Sequence, residues 1–176
     1  MYVESILLDD IIVIKKEPFV DNRGFFERVF DVTELKDFGI DFQCVQQNIS
    51  NNTKRGTLRG LHYQMGAYAE DKMIQCIKGC VFDVLVNVDV DSSDYGKWIS
   101  IELSEDNGRM VYVPSKYAHG FQTLEDDTIM LYHMGNYYNA GAATGFNCFS
   151  GRLNINWPIE KDFIISEKDS KLRDFE

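Results

Sequence analysis

Acid–base chemistry near neutral pH falls first to histidine, and this chain has three: His62, His119 and His133. His62 stands in Leu58-Arg59-Gly60-Leu61-His62-Tyr63-Gln64. The odd spacing of Arg59 and His62 would send them to opposite faces of a regular strand. Gly60 between them can host a bulge that re-aims one side chain. The pair would then set a bidentate phosphate or carboxylate fork beside a titratable imidazole. The plainer alternative is a surface arginine and a core histidine near a kink. His119 follows Pro114-Ser115-Lys116-Tyr117-Ala118, where a strand ends and a turn begins. It is expected to open the next strand, at a barrel rim where ligands enter. His133 alternates out of phase with Tyr132 and is read as structural or exposed.

Other chemistries lack their signatures. The chain has no closely spaced His-x-His pair for a metal, no GxGxxG or P-loop, and no GxSxG elbow. Any reaction is therefore expected to run on side chains alone, with no metal and no cofactor. Cys44, Cys76, Cys80 and Cys148 have no CxxC spacing and sit in hydrophobic segments, so they are read as reduced core thiols. The formal net charge of -10 argues against a nucleic-acid or membrane partner, since both are anionic. It leaves room for a local basic pocket that takes a small phosphorylated ligand. No apolar run reaches the roughly 20 residues of a membrane span. The start, Met1-Tyr2-Val3-Glu4-Ser5, has no secretory character, so a cytoplasmic protein is expected.

The elements that must position these residues are mostly strands. From Cys80 to Asp89, residues Val81, Asp83, Leu85, Asn87 and Asp89 alternate with Phe82, Val84, Val86 and Val88. Trp98 to Leu103, Arg109 to Val113, His119 to Leu124 and Thr128 to Met134 alternate in the same way, with turn residues between them. Helix is scarce. Asp31 to Phe38 is expected to form one short helix capped by Asp31. The stretch from Glu160 to Glu176 is read as a charged, partly mobile end with room for another. The 176 residues suit one all-β domain, a sandwich or barrel able to enclose one ligand.

Taken in order, the motifs resemble the dTDP-4-dehydrorhamnose 3,5-epimerase family, the RmlC-type cupins, from Asp21 to Pro158. The segments that carry the resemblance begin with Asp21-Asn22-Arg23-Gly24-Phe25-Phe26-Glu27 and Val45-Gln46-Gln47-Asn48-Ile49-Ser50. Gly56 to Gln64, Lys72, Val81 to Val84, Val113-Pro114 and Ala118-His119-Gly120-Phe121 follow. Leu131-Tyr132, Tyr137-Tyr138 and Trp157-Pro158 complete them. The resemblance implies a cupin-type jelly-roll β-barrel with a few short helices, usually a homodimer in which N-terminal strands pair across the interface. It implies a nucleotide-diphosphate sugar substrate with a ketone at carbon 4, inverted at carbon 3, carbon 5 or both, in surface polysaccharide synthesis. It also implies that His62 is the base, Tyr132 the acid on the opposite face and Lys72 the enolate stabiliser. Arg23, Phe26, Glu27, Gln46, Asn48, Arg59 and Tyr138 would hold the nucleotide, phosphates or sugar, and His119 would line the same pocket.

Two departures stand out. Counting back from Trp157-Pro158, Ser150 occupies the place where an aspartate is expected to orient the base, and Ala142-Ala143 replace a glutamate. Serine cannot match a carboxylate in stabilising imidazolium. Three explanations stand: Asp83 orients His62 instead; a weaker partner limits the enzyme to one centre; or the substrate is another sugar, such as a GDP-linked keto-heptose. A 3,4-ketoisomerase and a non-catalytic sugar-nucleotide binding module are the alternative functions.

Overall fold

The computed structural model describes residues 1–176. The chain opens with β1 (Tyr2–Leu7) and β2 (Ile11–Lys15), then a small hairpin of β3 (Phe19–Asp21) and β4 (Gly24–Phe26). After α1 (Val32–Asp37) come β5 (Gln46–Asn52), β6 (Thr57–Gln64), β7 (Lys72–Lys78) and β8 (Cys80–Asn87). The barrel continues with β9 (Trp98–Ser104), β10 (Arg109–Val113), β11 (Tyr117–Thr123) and β12 (Thr128–Met134). Short β13 (Ala143–Gly145), β14 (Ile164–Ile165) and α2 (Glu167–Ser170) close the chain.

Two sheets face each other as a cupin-type jelly roll. The first has the order β1-β2-β10-β7-β12-β5, and the second β13-β6-β11-β8-β9, with β14 paired to β6. The alternation in β8 sets its place. Val81 and Leu85 join Ile74, Val111, Phe121 and Met130 in the core between the sheets. Val84 and Val86 face outward, where Phe146, Leu153, Trp157 and Phe175 cover them. Both faces of the second sheet are therefore buried, each large apolar side chain contributing roughly 1.5–3 kcal/mol. β8 ends at Asn87, two places before the expected Asp89, because the Asn87 side chain accepts the Asp89 N–H and turns the chain.

The outer face of the first sheet is covered by α1 and the loop after it. Leu35, Ile40 and Phe42 pack on Ile14, Met73 and Met110. Asp31 caps α1 as expected, accepting from the Thr33 and Glu34 backbones. Glu34 reaches the N-terminal amine and Arg28. His133 is buried on this side, stacked on Phe30 at 4.7 Å and bonded to Gln47, so its role is structural.

Two expectations need correction. His119 does not open its strand at a rim: β11 starts at Tyr117 and His119 is buried inside it. Nor does the stretch from Glu160 hang free. β14 pairs with Thr57 and Leu58, Asp169 is buried in α2, and Phe175 is 2% exposed. All four cysteines are free, and Cys76, Cys80 and Cys148 are buried. Burial pushes the Cys76 and Cys148 thiols up to about 12 and Cys80 to about 11, which makes them poor nucleophiles. No helix is long and apolar enough to cross a membrane.

Candidate active site

At one end the two sheets part around a cavity of about 360 Å³. The second sheet supplies Arg59, His62 and His119, and the first supplies Asn48, Lys72 and Tyr132. Arg59 and His62 reach the same cavity because β6 bulges between them. The register against β11 runs His119 to His62 but Phe121 to Arg59, so one residue of β11 spans two of β6. Gly60 makes this possible. Its φ is +118°, and a Cβ there would stand 2.5 Å from Gly120 Cα.

His62 Nε2 lies 2.8 Å from Asp169 Oδ1, and the other carboxylate oxygen accepts the Gly60 N–H at 3.2 Å. Burial alone would raise the Asp169 pKa, but the His62 hydrogen bond and charge and the Gly60 N–H outweigh it and hold it below the ordinary value. The carboxylate therefore stays ionised beside the imidazole, which keeps its second ring nitrogen to take a proton. Asp169 is fixed locally by Ser166, whose hydroxyl caps α2 by accepting the Asp169 N–H at 3.0 Å.

A second imidazole–carboxylate pair lies deeper. His119 Nε2 is 2.7 Å from Asp83 Oδ2, and Asp83 Oδ1 is buried without a partner. Burial raises the Asp83 pKa against the pull of His119. Asp83 thus does not orient His62. It sits diagonal to His119 on the neighbouring β8, whereas β11 separates β8 from β6. Ser150 does not stand beside His62 either. It is 2% exposed in the layer outside the second sheet, where its hydroxyl bonds the Phe175 backbone. The carboxylate that orients His62 comes from further along the chain.

On the facing wall, Lys72 Nζ lies 3.3 Å from Glu70 Oε1, and Gln64 Nε2 donates to Glu70 Oε2 at 2.7 Å. Burial pushes the Lys72 ammonium down and the Glu70 carboxyl up, while their mutual attraction opposes both. Tyr132 lies 3.4 Å from Ser50 Oγ, and its ring meets His119 edge-on at 6.1 Å. Burial pushes its phenol well above the ordinary value, so it is a protonated donor at neutral pH. Arg59 donates Nε to Asn52 at 2.7 Å and keeps its terminal N–H groups for an anion. Gln46 bonds both Asn48 and the Tyr138 backbone at the mouth, and Asn48 and Tyr138 line the cavity.

Of the expected ligand residues, Gln46 does not itself line the cavity, and Arg23, Phe26 and Glu27 stand away from it. β3 and β4 pair only with each other, so the hairpin projects from the barrel. Phe26 is 72% exposed, Arg23 forks onto Asp21, and Glu27 pairs with buried Lys16 at 2.6 Å. Conversely, Asp169, Glu70 and Lys168 belong to the site and were not foreseen. The capping pattern Ser166-Glu167-Lys168-Asp169 is the signal that could have found the first, because it fixes an acidic residue at the start of a short helix.

The family model described as dTDP-4-dehydrorhamnose 3,5-epimerase matches residues 5–176. A protein of that name from Sinorhizobium fredii is 39% identical over 170 residues, covering 97% of this chain and 87% of its own. The Bacillus anthracis protein of the same name, crystallised with TDP and pyrophosphate, superposes with a TM-score of 0.96 at 35% identity, over 99% of both chains. The dTDP-6-deoxy-D-glucose-3,5-epimerase of Legionella pneumophila, in complex with dTDP-4-keto-L-rhamnose, gives 0.93 at 30% identity, over 98% of this chain and 92% of that one.

Proposed function

The chain belongs to the dTDP-4-dehydrorhamnose 3,5-epimerase family of sugar-nucleotide epimerases, and from that premise we propose that it inverts carbons 3 and 5 of a dTDP-linked 4-keto-6-deoxy sugar. The observation that carries the reading is the placement of His62 with its Asp169 partner on one sheet and Tyr132 on the facing sheet of one cavity. A ketone at carbon 4 acidifies the C–H bonds on either side of it. His62 takes such a proton and becomes imidazolium, which the Asp169 carboxylate stabilises. The electron pair moves to the ketone oxygen, where the Lys72 ammonium stabilises the enolate. Tyr132 then returns a proton to the opposite face, and the configuration inverts. Half-exposed His62 can shed its proton to water, and Tyr132 regains one through its Ser50 contact, so the protein ends as it began.

Arg59, with its free N–H groups, suits the diphosphate, while Asn48 and Tyr138 at the mouth suit the nucleotide end. The reason to look for a different sugar was a missing carboxylate, and Asp169 supplies that carboxylate. Tyr132 opposite His62 favours epimerisation over ketoisomerisation, which has no need of a donor on the far face. The charge of a sugar nucleotide keeps it from crossing membranes unaided, which supports work in the cytoplasm.

The test is isotope uptake in heavy water. Incubation with dTDP-4-keto-6-deoxyglucose should add two deuterons to the sugar, one at each inverted carbon, with far slower uptake by the GDP-linked analogue. One deuteron from the dTDP substrate would make the protein a single-centre epimerase, and none would overturn the reading.

The projecting hairpin supports a homodimer. Phe19, Val20, Phe25 and Phe26 are 72–79% exposed on one small hairpin, an apolar cost that a covering partner removes. Arg23 on the same hairpin would then be free to approach the partner's cavity. Sedimentation should give a species of about twice the 20.3 kDa chain mass. A monomer at micromolar concentration would remove this part of the reading.

A further inference from the structure

The residues after α2 are locked into the outer layer of the second sheet, and the contacts converge on Phe175. Its ring meets Phe146 edge-on at 4.8 Å and lies tilted against Tyr95 at 4.8 Å. The Arg152 guanidinium stands 5.4 Å from its centroid. Gly96 closes the slot: a Cβ there would come within 3.0 Å of Phe175 Cε1. Ser150 Oγ accepts the Phe175 N–H at 3.0 Å and donates to its carbonyl at 3.3 Å. The Asn147 N–H holds the Arg173 carbonyl at 2.8 Å.

The anchor matters because of what lies upstream. α2 is a single turn, too short to hold itself by its own hydrogen bonds. Asp169 within it must nevertheless meet His62 at 2.8 Å. On one side α2 is tied to the barrel by β14 on β6. On the other the chain runs from Asp169 through Leu172, which lines the cavity, directly to the Phe175 slot. Asp169 is thus suspended between two attachments.

We propose that Phe175 is a positioning residue for the reaction: seated in the slot formed by Tyr95, Gly96 and Phe146, it holds α2 so that Asp169 meets His62, and Ser150 acts through it. The proposal rests on the reading of His62 as the base. It gives Ser150 a part in orienting that base at one remove, through the Phe175 backbone.

The test compares Phe175→Ala, Phe175→Leu, Ser150→Ala, Asp169→Asn and the double variant F175A/D169N. Turnover of dTDP-4-keto-6-deoxyglucose gives kcat and KM, calorimetry gives dTDP affinity, and melting curves show that each variant is folded. Phe175→Ala should lower kcat about tenfold with KM and dTDP affinity within about threefold, because the contacts to the nucleotide lie on other strands. Phe175→Leu should restore most of the rate. F175A/D169N should be within about twofold of D169N alone, since both changes remove the same contact. An unchanged kcat in F175A, or losses that multiply in the double variant, would overturn the proposal. If F175A does not fold, Ser150→Ala carries the test: a loss of about threefold that vanishes in the D169N background supports it, and a loss that persists there overturns it. Full turnover in D169N would instead bring down the reading of His62 itself.

Discussion

Replacing His62 with asparagine is expected to lower kcat by about 10³-fold, a barrier increase of about 4 kcal/mol, while dTDP affinity stays within about twofold. Asparagine keeps a polar side chain near Asp169, so the carboxylate is not left bare, but its amide cannot take a proton. The groups proposed to hold the nucleotide and diphosphate, Arg59, Asn48 and Tyr138, stand on other positions and are untouched. The loss should appear equally in kcat and kcat/KM, the signature of an interaction made in the transition state alone. Deuterium uptake should fall in step with inversion, because without a base no C–H bond breaks. A variant that still exchanged at the normal rate would move the base to another group. His119 is the one to test next, since it is the other imidazole of the cavity and carries its own carboxylate. Loss of dTDP binding together with turnover would instead assign His62 to the ligand rather than to the proton.

Much of this architecture is legible in the residue pattern, for a simple physical reason. β8, β10 and β12 are buried against a core on at least one face, so they are rich in apolar residues between turn signals, and their bounds fall close to where the pattern puts them. The bulge at Gly60 is legible too, because Arg59 and His62 can share a pocket only if a glycine breaks the alternation. The C-terminal segment fails for the opposite reason. Between Glu160 and Glu176 most residues are charged or polar, which reads as a solvated end, and only two apolar side chains beyond β14, Leu172 and Phe175, signal that it is docked. Its one buried acid, Asp169, is fixed locally by the Ser166 cap, but the partners of its carboxylate, Gly60 and His62, lie more than 100 positions away, and nothing in the local pattern names them. Counting back from Trp157-Pro158 therefore led to Ser150, which lies in the outer layer with Phe175 rather than in the cavity. The β3–β4 hairpin is a related case. Its residues carry the right chemistry, but their place is set by what the hairpin docks against and not by the chain that bears it.

Tyr132→Phe should separate two events that the natural enzyme couples. Phenylalanine keeps the ring and its packing against His119 but removes the only proton that the facing wall offers through Tyr132. The Ser50 hydroxyl retains the Asn52 amide at 3.3 Å, so no buried polar group is stranded and the fold should be kept. His62, Asp169 and Lys72 are unaltered, so the C–H bond beside the ketone should still break and the enolate should still form. With no donor on the far face, the proton comes back from the His62 side. The sugar should therefore take up deuterium with its configuration retained, while inversion falls by about 10²- to 10³-fold. NMR of the recovered sugar distinguishes the two outcomes directly, since exchange without inversion removes the proton signal and leaves the neighbouring couplings of the starting configuration. Inversion at the normal rate would show that another group donates the proton. His119 is a poor substitute, because it stands on the same sheet as His62 and would return the proton from the same side. Two walls with one proton-transfer group each are what inversion requires, and β6 in one sheet and β12 in the other carry His62 and Tyr132 to those two walls.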